Sequence, residues 1–206
     1  MNLKINKKKF IYLISPNKIT NQFYSILNDI LKSGKVSFFQ MRFKKYSFKQ
    51  KILIGKKIKK ICKKNKVKFI INDDPFLTKI LNADGCHLGQ KDIDITEARK
   101  IIGDKIIGIT CHNSIKLAKS AVKKQANYLA FGSFFSSKTK KTKYRANINI
   151  LNKAKKISKT PIVAIGGINY SNYKNLLLNN ANFLAISGYI WNNKKYKPLK
   201  AIENLK

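Results

Sequence analysis

Short runs rich in β-branched and aromatic residues recur along the whole chain, at Phe10–Ser15, Val36–Arg42, Val67–Asn72, Asp84–Leu88, Ile106–Thr110, Tyr128–Gly132, Ile162–Gly166 and Phe183–Ser187. Between them, apolar positions return at helical spacing. Phe23, Ile26, Leu27, Ile30 and Leu31 share one face; Ile52, Ile54, Ile58 and Ile61 share another; Ile115, Leu117, Ala118, Ala121 and Val122 form a third stripe. Strand alternating with helix eight times implies parallel strands joined by crossovers. Eight such units are the number that closes a (β/α)8 TIM barrel, with an open doubly wound sheet as the alternative. No Pro/Gly/Ser-rich linker divides the chain, so residues 1–206 read as one barrel domain. Lys194–Lys206 reads as a last helix covering the barrel's outside.

Composition narrows the class. At 206 residues and 44% hydrophobic the chain can bury a full core. No apolar run approaches the roughly 20 residues that span a bilayer. The basic start at Met1-Asn2-Leu3-Lys4 lacks the cleavage site of a signal peptide. Cys62, Cys86 and Cys111 are an odd set without paired spacing, which suits reduced thiols and a cytoplasmic setting. A net charge of +35 invites a nucleic-acid reading. The excess is nearly all lysine, however, spread over helical segments, with Arg42, Arg99 and Arg145 the only arginines. That is a chain-wide bias rather than a recognition face, so nucleic acid is not the expected main partner, and without a spanning run neither is a membrane.

Charge also singles out one region. Of nine Asp and Glu residues, seven lie between Asp73 and Asp104. Asp73 ends one strand-like run, and Asp92 follows the next after a short turn. Two carboxylates at the same ends of neighbouring strands suit a hard cation. Asp94 and Glu97 read instead as the start of a helix, a role equally open to Asp92.

In a barrel the chemistry gathers where strands end and βα loops begin. Gln40-Met41-Arg42-Phe43-Lys44 places three long polar side chains at alternate positions, either as a comb for a polyanion or as a solvated strand end. Gly166-Gly167 and Ile186-Ser187-Gly188, after the seventh and eighth strands, are either tight turns or a cradle for phosphate. Ser136 to Lys143 is a hydrophilic loop able to wrap a phosphorylated ligand. Cys86-His87 and Cys111-His112 do not make a zinc site, because adjacent strand residues point to opposite faces. The two histidines read as hydrogen-bonded core or rim residues.

Taken together, Gln40 to Lys44, Ile71-Asn72-Asp73, Ala83 to Asp92 with its His87-Leu88-Gly89-Gln90-Lys91-Asp92 run, Phe131-Gly132 leading to Thr139-Lys140, Val163 to Ile168 and Ile186-Ser187 resemble thiamine-phosphate synthases. The resemblance runs from the first strand to the eighth. It implies a transferase joining an aminopyrimidine-methyl diphosphate to a thiazole phosphate, carboxylated or not, with release of pyrophosphate. It further implies that Gln40, Met41, Arg42, Phe43, Lys44, Asn72, Thr110 and Lys140 hold the pyrimidine diphosphate, with Arg42, Lys44 and Lys140 catalytic. Asp73 and Asp92 would hold Mg2+, and Ser137, Lys138, Thr139, Gly167, Ile186 and Ser187 the thiazole phosphate. The sequence departs from the family in carrying Thr110 for its usual Ser, Ser136-Ser137 for Pro and Thr, and no acid shortly after Lys140. A related barrel family isomerises the thiazole phosphate and would need a proton shuttle such as His112. The Asp73/Asp92 pair favours the synthase, because an isomerase has no pyrophosphate to neutralise.

Overall fold

The computed structural model describes residues 9–136 and 144–205. Among these, eight parallel strands close into a barrel in sequence order. The strands are β1 Ile11–Ile14, β2 Val36–Met41, β3 Lys68–Asn72, β4 Gly85–Leu88, β5 Ile106–His112, β6 Tyr128–Gly132, β7 Ile162–Ile165 and β8 Phe183–Ile186. The helices are α1 Phe23–Lys32, α2 Phe48–Lys64, α3 Pro75–Ile80, α4 Ile95–Ile102, α5 Ile115–Lys123, α6 Asn149–Ile157, α7 Tyr173–Leu178, α8 Gly188–Trp191 and α9 Pro198–Glu203. β1 pairs with both β2 and β8, which closes the ring and removes the open-sheet alternative.

Each strand predicted from β-branched runs is present, most of them a residue or two shorter than the run. The helix faces follow the apolar stripes less closely. In α2 the buried positions are Ile54, Gly55, Ile58 and Cys62, while Ile52 and Ile61 sit at the margin. The C-terminal region differs more: residues 194–197 are not helical, Pro198 opens the short α9, and the four-residue α8 had no periodicity to announce it. Proline suits a first helical turn because its missing N–H has no partner there anyway.

Period-two alternation sorts the strand residues into two cores. One set packs between strands and helices. The other fills the barrel itself: Tyr12, Ile14, Phe38, Ile70, Ile106, Tyr128, Ala130, Val163, Phe183 and Ala185. Phe38 meets Phe183 edge-on at 5.0 Å and lies against the Tyr12 ring at 5.2 Å, so aromatic rings plug the lower barrel. Polar groups must therefore gather above this plug, at the C-terminal mouth.

Gly108 makes room for the plug. A Cβ there would stand 1.8 Å from the Tyr128 ring. Gly108→Ala is expected to cost about 1–3 kcal/mol in denaturant unfolding, because a buried ring must shift to admit the methyl. An unchanged midpoint and slope would mean that Tyr128 can move freely.

Candidate active site

β2, β3 and β4 carry the polar side chains of the mouth. Gln40 continues the inward face of Phe38, and Asn72 that of Ile70. Gln40 is 3% exposed, and its Nε2 donates to Asn72 Oδ1 at 3.0 Å. The main chain of Arg42 is fixed by its N–H, which donates to Ser15 Oγ at 2.9 Å. Among the described residues the Arg42 guanidinium takes no hydrogen bond or ion pair. Ser15 also accepts at its carbonyl from Ser187 Oγ at 3.2 Å, which ties the β2 corner to the end of β8.

Asp73 follows β3 in the left-handed region, with φ 64°. Its N–H donates to the His87 carbonyl at 2.8 Å, so the β3–β4 pairing extends one residue past the strand. Asp92 sits in a tight turn beyond β4, where its Oδ2 accepts from Gly89 N at 2.7 Å. It is not the start of α4; that role belongs to Asp94, whose side chain caps Thr96 N, with Glu97 in the first turn. Asp74, which the sequence did not single out, caps α3 in the same way through Leu77 N.

Asp73 and Asp92 line one cleft together, close enough for the charge of one to bear on the other. Burial pushes the Asp92 carboxyl above its ordinary pKa against the opposing Gly89 hydrogen bond, and the Asp73 charge adds to the rise. Lys44 Nζ, 3.6 Å from Asp73 Oδ2, partly offsets it. Two crowded carboxylates with one exposed lysine form an arrangement that a divalent cation relieves. Among the described residues no group of three or more His, Cys, Asp and Glu converges as a closed metal cage. Two carboxylates are what Mg2+ takes when substrate oxygens and water complete its shell. These acids and Lys44 line a cleft of about 400 Å³ between the loops after β2 and β3.

Met41 and Phe43 are each 3% exposed and pack in the outer core, as does Ile186. Their side chains form walls, so any direct polar contact to a ligand must come from their main chain. Gly166 and Gly167, with φ 106° and 64°, turn sharply after β7. The loop after β6 lies directly on them: a Cβ on Gly166 would stand 2.1 Å from Ser133 Oγ, and one on Gly167 2.4 Å from the Ser136 carbonyl oxygen. The double glycine is thus required by loop-on-loop packing as well as by the turn. Ser137, Lys138, Thr139, Lys140 and Thr142 lie outside the described residues.

Cys86 and His87 separate as alternation requires, whereas Cys111 and His112 lie at a break in the β5–β6 register with His112 at φ 52°. Cys86 and Cys111 are buried in the outer core, and burial pushes both thiols up to about 12. His112 stacks on Tyr144 at the rim with ring centroids 3.8 Å apart. His87 points into the barrel, where Nδ1 is 2.9 Å from Tyr128 OH and Nε2 is 2.9 Å from Thr110 Oγ1. His87 is thus the hydrogen-bonded core residue and His112 the rim residue that the sequence implied, whereas the sequence did not single out Tyr12 and Tyr128. The available signal was tyrosine at inward-facing strand positions, where a barrel core ordinarily takes branched aliphatics.

Residues 11–190 match the protein family described as thiamine monophosphate synthase. A thiamine-phosphate synthase of Pelagibacter ubique (strain HTCC1062) is 67% identical over 204 residues, covering 98% of each chain. One from Nitrosomonas eutropha (strain DSM 101675 / C91 / Nm57) is 37% identical over 183 residues, covering 86% of this chain and 84% of its own. Among solved structures, thiamine phosphate pyrophosphorylase from Pyrococcus furiosus superposes with a TM-score of 0.85 at 28% identity, covering 97% of this chain and 94% of that one.

Proposed function

The chain belongs to the thiamine monophosphate synthase family, and from that premise we propose that it joins an aminopyrimidine-methyl diphosphate to a thiazole phosphate in a Mg2+-dependent reaction that releases pyrophosphate. It is an enzyme of thiamine biosynthesis, a transferase of the diphosphorylase type. Among the described residues no helix is long and apolar enough to cross a membrane.

The observation that carries the finer reading is the meeting of Asp73, Asp92 and Lys44 beside the Gln40–Asn72 pair. The hydrogen-bonded amides present one donor and one acceptor to the mouth whichever way each is turned. That pattern matches the edge of a 4-aminopyrimidine, where an amino group adjoins a ring nitrogen. Arg42 and Lys44 follow on the same comb and are assigned to the diphosphate, joined by Lys140 from the loop after β6. Asp73 and Asp92 would hold magnesium. When bound, that ion supplies Lewis-acid neutralisation of the negative charge growing on the leaving diphosphate.

In the reaction the bond from the pyrimidine methylene carbon to the diphosphate oxygen breaks, and its electron pair leaves with pyrophosphate. The ring amino group stabilises the cationic carbon, and the thiazole nitrogen donates its lone pair to form the new C–N bond. The cationic side chains meet charge that grows as the leaving group departs, which lowers the barrier more than it tightens substrate binding. Ser137, Lys138, Thr139, Gly167, Ile186 and Ser187 are assigned to anchoring the thiazole phosphate, which holds the nucleophile in line. No strong general base is required, because no proton must be removed for the bond to form.

The test is release of pyrophosphate from the two substrates together. Turnover should require both substrates and Mg2+, and should stop on addition of EDTA. Conversion of the thiazole phosphate alone, or full turnover in EDTA, would refute the proposal.

A further inference from the structure

Beneath the mouth lies a chain of polar side chains that ends at Thr110, and the reaction above gives no part to its other members, Tyr12, Tyr128 and His87. Tyr12 OH and Tyr128 OH are 2.8 Å apart. Tyr128 OH continues to His87 Nδ1, and His87 Nε2 to Thr110 Oγ1, both at 2.9 Å. The His87 and Tyr128 rings are nearly parallel, 10° apart. Tyr12 and Tyr128 are buried in the barrel, at 2% and 0% exposure, while Thr110 reaches the half-buried rim.

The order of protons along this chain follows from its closed end. Among the described residues the Tyr12 hydroxyl has a single hydrogen-bond partner, Tyr128. If Tyr12 accepted that bond, its own O–H would be buried without an acceptor, which is costlier than an oxygen with a spare lone pair. Tyr12 therefore donates to Tyr128. Tyr128 then donates its single hydrogen to His87 Nδ1. Histidine left with an accepting Nδ1 is the Nε2–H tautomer, and its Nε2–H donates to Thr110 Oγ1. With that oxygen accepting from below, the Thr110 hydrogen is directed away from the histidine, toward the mouth. Burial also raises the pKa of both phenols well above their ordinary value, which keeps them protonated as donors.

We propose that Tyr12, Tyr128 and His87 form a positioning relay that fixes Thr110 as a hydrogen-bond donor, so that the site selects a ligand presenting an acceptor there, a diphosphate oxygen or an unprotonated ring nitrogen, and rejects one presenting N–H or O–H. This rests on the proposed function for the identity of the ligand, but not for the direction of the relay. A buried polar group left facing a like donor discriminates far more strongly than a missing apolar contact. The hydroxyl shared by Thr110 and the serine of the family pattern is what the relay needs; the extra methyl is not.

The direction can be read without any substrate. The protein has two histidines, His87 and His112. In the unsubstituted protein labelled with 15N-histidine, His87 is expected to give the pattern of an accepting Nδ1 and a protonated Nε2, with His112→Gln used to assign the signals. An Nδ1–H pattern for His87 overturns the relay whatever the enzyme does. Tyr128→Phe removes the donor to Nδ1, so it should alter the His87 nitrogen shifts and lower kcat/KM for the pyrimidine diphosphate by roughly tenfold or more, with the thiazole phosphate KM unchanged. Unchanged shifts and unchanged kcat/KM in that variant would also overturn it. If the tautomer is as expected but the two substrates are not turned over, the relay stands and the proposed function falls.

Discussion

Asp92→Asn is expected to lose roughly 10²–10³-fold in kcat/KM while its melting temperature stays level or rises. The two halves of that result have one cause. In the folded chain the Asp92 carboxyl has a raised pKa, from burial first and then from Asp73, with Gly89 and Lys44 opposing. A carboxyl whose folded pKa exceeds its unfolded value binds protons more tightly when folded. Stability therefore falls as pH rises through the interval between the two values, and at neutral pH the ionised group is a net cost. Asparagine removes that charge yet can still accept from Gly89 N, so the turn beyond β4 should persist. Without the second carboxylate, Mg2+ should no longer raise the melting temperature as it is expected to do in the parent, since a ligand that binds only the folded state stabilises it by mass action. Asp73→Asn should behave alike in turnover and in its response to Mg2+. Parental activity in both variants, measured by pyrophosphate release, would refute the assignment.

Arg42→Ala is the second large effect, roughly 10²-fold in kcat/KM for the pyrimidine diphosphate, with the KM for thiazole phosphate unchanged. The residue is held in place by its main chain through Ser15 Oγ, so losing the side chain should leave the loop where it is. A guanidinium can grip two oxygens at once, whereas an ammonium is a point charge. Arg42→Lys is accordingly expected to recover only part of the loss. Full recovery would mean that charge alone matters at this position, and no loss in Arg42→Ala would make the comb a solvated strand end. Lys44 should be the milder site, because its exposed amine is already shared with Asp73.

Lysines line the outward side of α2, where Lys49, Lys56, Lys60 and Lys63 are exposed. Arg99 shows what the scarce arginines do when not at the mouth. Its guanidinium binds the Gly103 and Lys105 carbonyls and Asn127 Oδ1, tying the end of α4 to the approaches of β5 and β6.

Local pattern alone located the eight strands, because two-residue alternation and β-branched runs are properties of neighbouring residues. It also located the mouth, since parallel strands present their ends to one side, and it marked Gln40, Arg42, Asn72, Asp73 and Asp92 there. Folding in space decided the rest. The meeting of Asp73 with Asp92 depends on the β3–β4 register, on a left-handed Asp73 and on the Gly89 turn, none of which has a periodic signature. The proximity of Tyr12 to Tyr128, 116 positions apart, exists only because β8 returns to β1 and closes the ring. Once the ring is closed, buried hydroxyls are cut off from bulk solvent, which favours partners within the barrel.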